Sequence, residues 1–172
     1  MEVFWLLVLR LIHVVGGIVW VGGLVALAWF VVPTQRLEGA DGGRFVSRMM
    51  VERHFTPFLI TVALSTLLSG FALYGRAMIA TAGQWGGSRP AIVYGFGAIS
   101  AVAAMIVGVS MGGVSEKKMA AIGQRLSAER RPPTTEETAQ LEALAARAGR
   151  GARIASILLL VTAVAMSVAR YA

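Results

Sequence analysis

The sequence contains no cysteine, few charged residues, and no Asp or Glu inside its long apolar segments. Without cysteine the chain cannot form a disulfide, an iron–sulfur cluster, a thiolate metal site or a cysteine nucleophile. The lack of carboxylates in the apolar segments argues against a carboxylate proton relay and against an acidic cation site. A Walker loop and a dinucleotide-binding fingerprint are also absent, so nucleotide chemistry has no support.

Apolar residues dominate what is present. They make up 56% of the 172 residues, the mean hydropathy is +0.70, and charged residues account for 15% of the chain, against about 25% in soluble domains. A small soluble core cannot hide so much apolar surface, so we expect a lipid bilayer as the partner. The net charge of +7 then reflects basic loops of a membrane protein, and no nucleic-acid partner is expected.

Four segments have the length of about 20 apolar residues that a membrane span requires. They cover residues 3–32, 55–78, 90–113 and 152–172. We therefore predict an all-α integral membrane four-helix bundle that forms one domain over residues 1–172, with the first segment retained as a span. Pro33 is expected to end the first helix, Pro90 to lie in the first turn of the third, and the second helix to begin at Phe55 or already near Arg44.

The connection between the third and fourth spans, residues 114–151, has helical features of its own. SEKKMAAIGQRL places apolar residues on one helical face, RRPP breaks the helix, and Thr134 with Glu137 has the spacing of a capping box. These features predict a helical hairpin that extends the third and fourth helices beyond the membrane. The alternative is a solvated linker.

The distribution of basic residues indicates orientation. Twelve of the sixteen Lys and Arg residues fall in the first and third connections: Arg36, Arg44, Arg48, Arg53, Lys117, Lys118, Arg125, Arg130, Arg131, Arg147, Arg150 and Arg153. Since cytoplasmic loops carry the excess of basic residues, we expect the hairpin in the cytoplasm and both termini outside, in a bacterial-type inner membrane.

Small residues recur at helical spacing and favour close helix packing. The stripes are Ser100, Ala104, Gly108 and Gly112 on the third helix, Thr61, Ser65 and Ser69 on the second, and Gly22 with Ala26 on the first. Such stripes predict a bundle and carry no functional information.

The stretch LRLIHVVGGIVWVGG contains the unusual polar residues of the first span. On a helix, Arg10, His13, Gly16, Gly17 and Trp20 fall within roughly 120° of one another. In one interpretation this face packs closely against a neighbouring helix. His13 then makes an interhelical hydrogen bond, and the long Arg10 side chain extends to the membrane–water interface. In the other it is a haem site, with His13 as the axial iron ligand, the glycines admitting the porphyrin and Arg10 pairing with a propionate.

This first span, with its early His, its Trp and its small-residue pair, resembles the first span of the HemJ-like and copper-resistance-D-like membrane families. RFVSRMMVERHFTPFLITVALSTLLSGFALYG is similar to their second span, so the resemblance covers roughly the first 77 residues. It implies a four-helix membrane fold and places His13 at the histidine proposed to bind haem b in HemJ-type protoporphyrinogen oxidases. The later-span lysine of those enzymes has no counterpart, because Lys117 and Lys118 follow the third span.

His54, the second histidine, begins the second span and is expected near its cytoplasmic end, too far from His13 for both to bind one iron. If haem binds at His13, the sixth position of its iron would then be open or filled by a residue such as Met166 or Met105. Besides haem b no cofactor is expected, and whether the chain is an enzyme is left open. The alternative function is a non-catalytic accessory subunit of a larger respiratory or photosynthetic complex, with other membrane subunits or further copies of the chain as partners.

Overall fold

The computed structural model describes residues 2–172, and almost all of these residues are helical. The helices are α1 (Glu2–Ala26), α2 (Val32–Leu37), α3 (Gly39–Ser47), α4 (Phe55–Ala80), α5 (Arg89–Val107), α6 (Val114–Glu129) and α7 (Thr135–Val168). Wider π-helical turns at Leu27–Val31, Arg48–Glu52 and Gly108–Gly113 follow α1, α3 and α5. Since residues 2–172 contain no strand, the predicted all-α fold is confirmed.

Four continuous helical segments are long and apolar enough to cross a membrane. They run over Glu2–Leu37, Phe55–Ala80, Arg89–Glu129 and Thr135–Tyr171. The number of predicted spans is confirmed by the length and composition of these helices. Pro90 lies in the first turn of α5, as expected. The helices are longer than the apolar segments because α6 continues α5 and the first half of α7 precedes the fourth apolar segment.

The expected end of the first helix at Pro33 is wrong, since the helix continues to Leu37. Proline lacks a backbone N–H and its ring crowds the preceding turn, which usually stops a helix. Here the π-helical turn Leu27–Val31 comes immediately before it, and the N–H of Val32 bonds to the carbonyl of Leu27, five residues earlier. The wider turn accommodates the proline ring without breaking the helix.

The second long helix begins at Phe55 and not near Arg44. Residues 44–47 are helical, but they belong to the separate helix α3. Between the two helices the backbone of His54 has a φ of 52°, in the left-handed region. A non-glycine residue with this φ cannot continue a right-handed helix, so the chain changes direction there.

The bundle consists of two helix pairs, α1 with α4 and α5 with α7, which meet mainly through α1 and α7. Helices α4 and α5 touch only sparsely. A core of mostly small side chains lies where the pairs meet: Trp20, Ala63, Ala101, Ala104, Ala155 and Leu159. We call the end with the short α4–α5 connection (Gln84–Gly87) the turn end, and the end with α6 and the first half of α7 the hairpin end.

The predicted helical hairpin is present. Helix α6 ends at Glu129, Arg130 adopts a left-handed conformation, and α7 begins after the two prolines. Thr134 and Glu137 form the predicted capping box, with the Thr134 hydroxyl accepting from the Glu137 N–H at 3.2 Å. The Glu137 carboxylate also accepts from Arg125 and Arg131, at 2.5 Å and 2.7 Å. Thus one carboxylate joins both helices of the hairpin.

Candidate functional site

His13 lies half-buried between α1 and α4. Its Nδ1 is 2.8 Å from the carbonyl oxygen of Thr66. Because a carbonyl oxygen can only accept, Nδ1 carries the proton in this bond, and in the neutral ring Nε2 holds the lone pair. Within residues 2–172, no donor forms a hydrogen bond to Nε2.

Gly70 of α4 provides the room for the imidazole. A Cβ at this position would lie 2.6 Å from Cε1 and 2.9 Å from Nδ1 of His13. Real Cβ atoms do not approach other atoms so closely, so any larger residue would displace the ring. The missing side chain of Gly70 and the Thr66 carbonyl together fix where the imidazole lies.

The glycines of the first span pack against α4. A Cβ at Gly16 would overlap the Oγ1 of Thr66, whereas a Cβ at Gly17 would make an ordinary contact, 3.9 Å from Thr66 Cγ2. The Thr66 hydroxyl itself donates to the carbonyl of Val62 at 2.8 Å. Therefore Gly16 admits a threonine of the neighbouring helix and does not open onto a cavity.

Trp20 and Arg10 lie in opposite environments. Trp20 is only 6% exposed and belongs to the core between the two helix pairs. Arg10 is exposed, and none of the ion pairs formed by residues 2–172 includes it. The face predicted from the sequence is thus divided: its histidine, Gly16 and tryptophan face protein, while its guanidinium remains at the surface.

An open apolar groove between α1 and α4 begins one helical turn from His13, towards the turn end. It has a volume of about 740 Å³ and is lined by Glu2, Trp5, Leu6, Leu9, Ala72, Gly75, Arg76, Ile79 and Ala80. Arg76 donates to Glu2 at 3.2 Å at one side of the groove. Its volume is in the range of small-molecule sites, about 300–1,000 Å³.

His54 is exposed and lies far from His13 along the α1–α4 seam. Gly23 packs against Leu59 and the ring of Phe55, so the start of α4 lies at least ten residues along α1 from His13. At 1.5 Å per residue this separation is about 15–20 Å. The two histidines therefore cannot bind the same iron in this packing, as the sequence predicted.

The two methionines considered as second ligands lie in the interior. The terminal methyl of Met166 would lie 3.1 Å from a Cβ at Gly97 of α5. Met105 packs against the core cluster that contains Trp20. Neither contact brings a thioether to Nε2 of His13. Within residues 2–172, no group of three or more His, Asp or Glu side chains could hold a metal ion.

Further hydrogen bonds, which the sequence did not predict, cross between the other helices. The Trp29 indole donates to Ser156 Oγ at 3.0 Å, and Ser100 Oγ donates to the carbonyl of Leu158 at 2.8 Å. Thr162 Oγ1 also donates to the carbonyl of Gly97 at 3.2 Å. Ser and Thr within apolar segments were the available signal, but Ser100 was interpreted only as a small residue and the α7 residues were not singled out.

Comparison of the chain with protein-family models, with curated proteins and with solved structures finds no match. The function is therefore inferred from the positions and chemistry of the side chains.

Proposed function

We propose that the chain is an integral protein of a bacterial-type inner membrane, with both termini outside and the hairpin end in the cytoplasm. Large apolar side chains are exposed along all four long helices, as contact with lipid requires: Phe4, Ile18, Leu68, Ile99 and Val164 are each more than 60% exposed. The basic residues of the first and third connections lie at the hairpin end, and the positive-inside rule assigns that end to the cytoplasm.

Because the chain has no cysteine, single cysteine substitutions test this topology directly. Gln84→Cys lies at the turn end and Ser127→Cys near the end of α6, and both positions are exposed. We expect a membrane-impermeant maleimide to label Gln84→Cys in spheroplasts and Ser127→Cys only after lysis. The reverse pattern contradicts the orientation, and release of the protein by alkaline carbonate contradicts membrane integration.

Within this membrane protein we propose that His13 binds haem b through Nε2. The observation that carries the proposal is the bond from Nδ1–H to the Thr66 carbonyl, which leaves Nε2 with an unshared lone pair. Histidines that bind metals commonly donate their other N–H to a carbonyl or carboxylate, which fixes the tautomer and the ring orientation. His13 therefore fits the role of an axial ligand, whereas Gly16 does not fit the role of a porphyrin platform because Thr66 fills the space beside it.

The surrounding residues supply the rest of the environment. Thr66 holds the imidazole proton on Nδ1, Gly70 permits the ring position, and an open apolar groove begins one turn away along the α1–α4 seam. None of the ion pairs within residues 2–172 includes Arg10, so its guanidinium is available to a propionate. A bound haem b would supply one-electron redox chemistry.

An absorption spectrum of the detergent-purified protein, expressed with a haem precursor, tests the haem proposal. We expect a Soret band that is lost in His13→Ala and kept in His54→Ala, since His54 lies about 15–20 Å away. Wild-type protein without a Soret band, or a band that His13→Ala leaves unchanged, contradicts the proposal.

The second candidate function is a non-catalytic accessory subunit of a larger respiratory or photosynthetic membrane complex. It is supported by polar side chains of the apolar segments, since Trp29, Ser100 and Thr162 all form hydrogen bonds to a neighbouring helix. These side chains stabilise the bundle and do not line a reaction site. Copurification of a defined membrane complex after mild solubilisation is expected for this function, and a chain that remains monomeric and carries haem contradicts it.

A further inference from the structure

Four arginines lie at the hairpin end of the bundle, on α7 and on the adjacent helix α2. Arg147, Arg150 and Arg153 follow one another at intervals of three on α7, and Arg36 comes from α2 beside them. None of the ion pairs among residues 2–172 includes any of the four. An intramolecular anion therefore does not balance their charge.

The backbone geometry places these arginines on one strip of α7. Residues three apart on a helix are separated by about 60° around the axis, so the three arginines span about 120°. On one side of this strip Gly149 contacts α2 and Ser156 bonds to Trp29 of the preceding π-helical turn, and on the other side Gly151 packs against Met111. The strip is thus the outward surface of α7 between its two neighbours.

Two of the four guanidinium groups, those of Arg153 and Arg147, make contacts that position them, and the guanidinium of Arg36 lies beside Gly149. Arg153 lies over the ring of Trp29, 5.9 Å from its centroid, and Trp29 is anchored by its bond to Ser156. The Nη2 of Arg36 would lie 3.0 Å from a Cβ at Gly149, and Arg147 donates to the carbonyl of Ser110 at 3.3 Å. Arg150 is exposed and completes the strip.

The strip is long enough to cross the headgroup region of one leaflet. From Arg147 to Arg153, α7 rises about 9 Å, and the fourth apolar segment begins at this point. The polar region of each leaflet is about 5–8 Å thick. Trp29 adds the amphipathic aromatic side chain that is enriched at membrane interfaces.

We propose that Arg36, Arg147, Arg150 and Arg153 form a binding site for the phosphate of an anionic phospholipid in the adjacent leaflet. Arginine forks match phosphate oxygens in geometry and charge, and basic pockets between helices on the cytoplasmic side bind anionic headgroups. This site rests on the proposed membrane insertion and depends on neither haem nor an accessory role.

Native mass spectrometry of the full chain in detergent, titrated with phosphatidylglycerol, tests the site. A basic residue near an anionic surface contributes about 1 kcal/mol, so we expect Arg150→Gln to weaken binding about 5-fold. Arg150→Gln with Arg153→Gln should weaken it roughly 25-fold. Arg150 is exposed and belongs to none of the ion pairs among residues 2–172, so the single variant stays informative even where the double variant is unstable.

Arg89→Gln with Arg170→Gln is the matched control, since it removes the same charge from the turn end. We expect less than a 3-fold loss for this pair and little binding of phosphatidylcholine to any variant. The proposed site is contradicted if the two double variants lose phosphatidylglycerol affinity equally, or if Arg150→Gln loses none. Inorganic phosphate that displaces the lipid at equal concentration shows a phosphate-ion site instead. Carbonate extraction and cysteine labelling test the proposed membrane insertion independently, so a failure of insertion can be distinguished from a failure of the lipid site.

Discussion

At His13, the hydrogen bond from Nδ1 to the Thr66 carbonyl stabilises the α1–α4 contact and at the same time leaves Nε2 with a lone pair. An interhelical hydrogen bond in a membrane contributes about 0.6–2 kcal/mol. Removing the imidazole is therefore expected to lower the stability of the bundle with or without a ligand. Only a measurement that reports on Nε2, such as the Soret band, separates the two roles.

Gly70→Ala tests the position of the ring without removing it. The added Cβ would lie 2.6 Å from Cε1 of His13, so the ring must move and the bond to Thr66 is lost. Overpacking of this kind costs about 1–3 kcal/mol, which a thermal melt in detergent detects as a lower Tm. Gly75→Ala is the control because nothing lies within 4 Å of its added Cβ. Equal melting temperatures for the two variants would show that Gly70 does not position His13.

The candidate site was only partly predictable from its residues. Helical periodicity correctly places His13, Gly16 and Trp20 on the buried part of one face, because angular spacing depends on the helix alone. It does not show what lies opposite, since Thr66 is 50 positions from Gly16 in the sequence. The register of α1 against α4 depends on side chains of both helices. Whether Gly16 admits a threonine or a porphyrin is therefore a tertiary property.

At the scale of single helices, a sequence motif predicts a structural feature well when the residues that form the feature are neighbours in the sequence. Thr134 and Glu137 form their capping box because the two residues that make its bonds are three positions apart. Pro33 gave a wrong helix end because the wider π-helical turn before it accommodates the proline ring. The residues around Pro33 contain no sequence motif that predicts this π-helical turn.

The hairpin is expected to lose stability at acidic pH through Glu137. Its hydrogen bonds from Arg131 and from the Thr134 N–H lower the pKa of this carboxyl from 4.5 to about 2. Since the folded pKa lies below the unfolded value, the contribution is complete above pH 4.5 and is lost as the pH falls towards 2. The protection factors of the amides at the start of α7, measured against their intrinsic exchange rates at each pH, should therefore fall over this range.

Glu137→Gln should exchange faster at pH 7 and lose the acid dependence, because Arg125 and Arg131 no longer face a carboxylate. Glu136→Gln is the matched control, since Glu136 is exposed and belongs to none of the ion pairs among residues 2–172. An acid dependence that persists in Glu137→Gln would assign it to another group.

For the whole molecule, hydropathy predicts the four long segments because their length and composition are local properties. The pairing of α1 with α4 and of α5 with α7 did not follow from the small-residue stripes. Gly22 and Gly112 of those stripes have nothing within 4 Å of an added Cβ, whereas Gly16, Gly97 and Gly151 make the close approaches. A small residue permits close packing, but the partner helix decides which small residues are used.

A disulfide between the two helices of the first pair tests this packing. A Cβ at Gly16 would lie 3.6 Å from the Cβ of Thr66, within the range of about 3.5–4.5 Å that a disulfide needs. The double variant Gly16→Cys with Thr66→Cys is expected to cross-link on mild oxidation in membranes and to change its mobility on a non-reducing gel. Gly22→Cys with Thr66→Cys should not, because Gly22 lies about 9 Å further along α1. Cross-linking of both pairs would mean that α1 and α4 slide past each other, and a sliding seam could not hold the His13 imidazole against the Thr66 carbonyl.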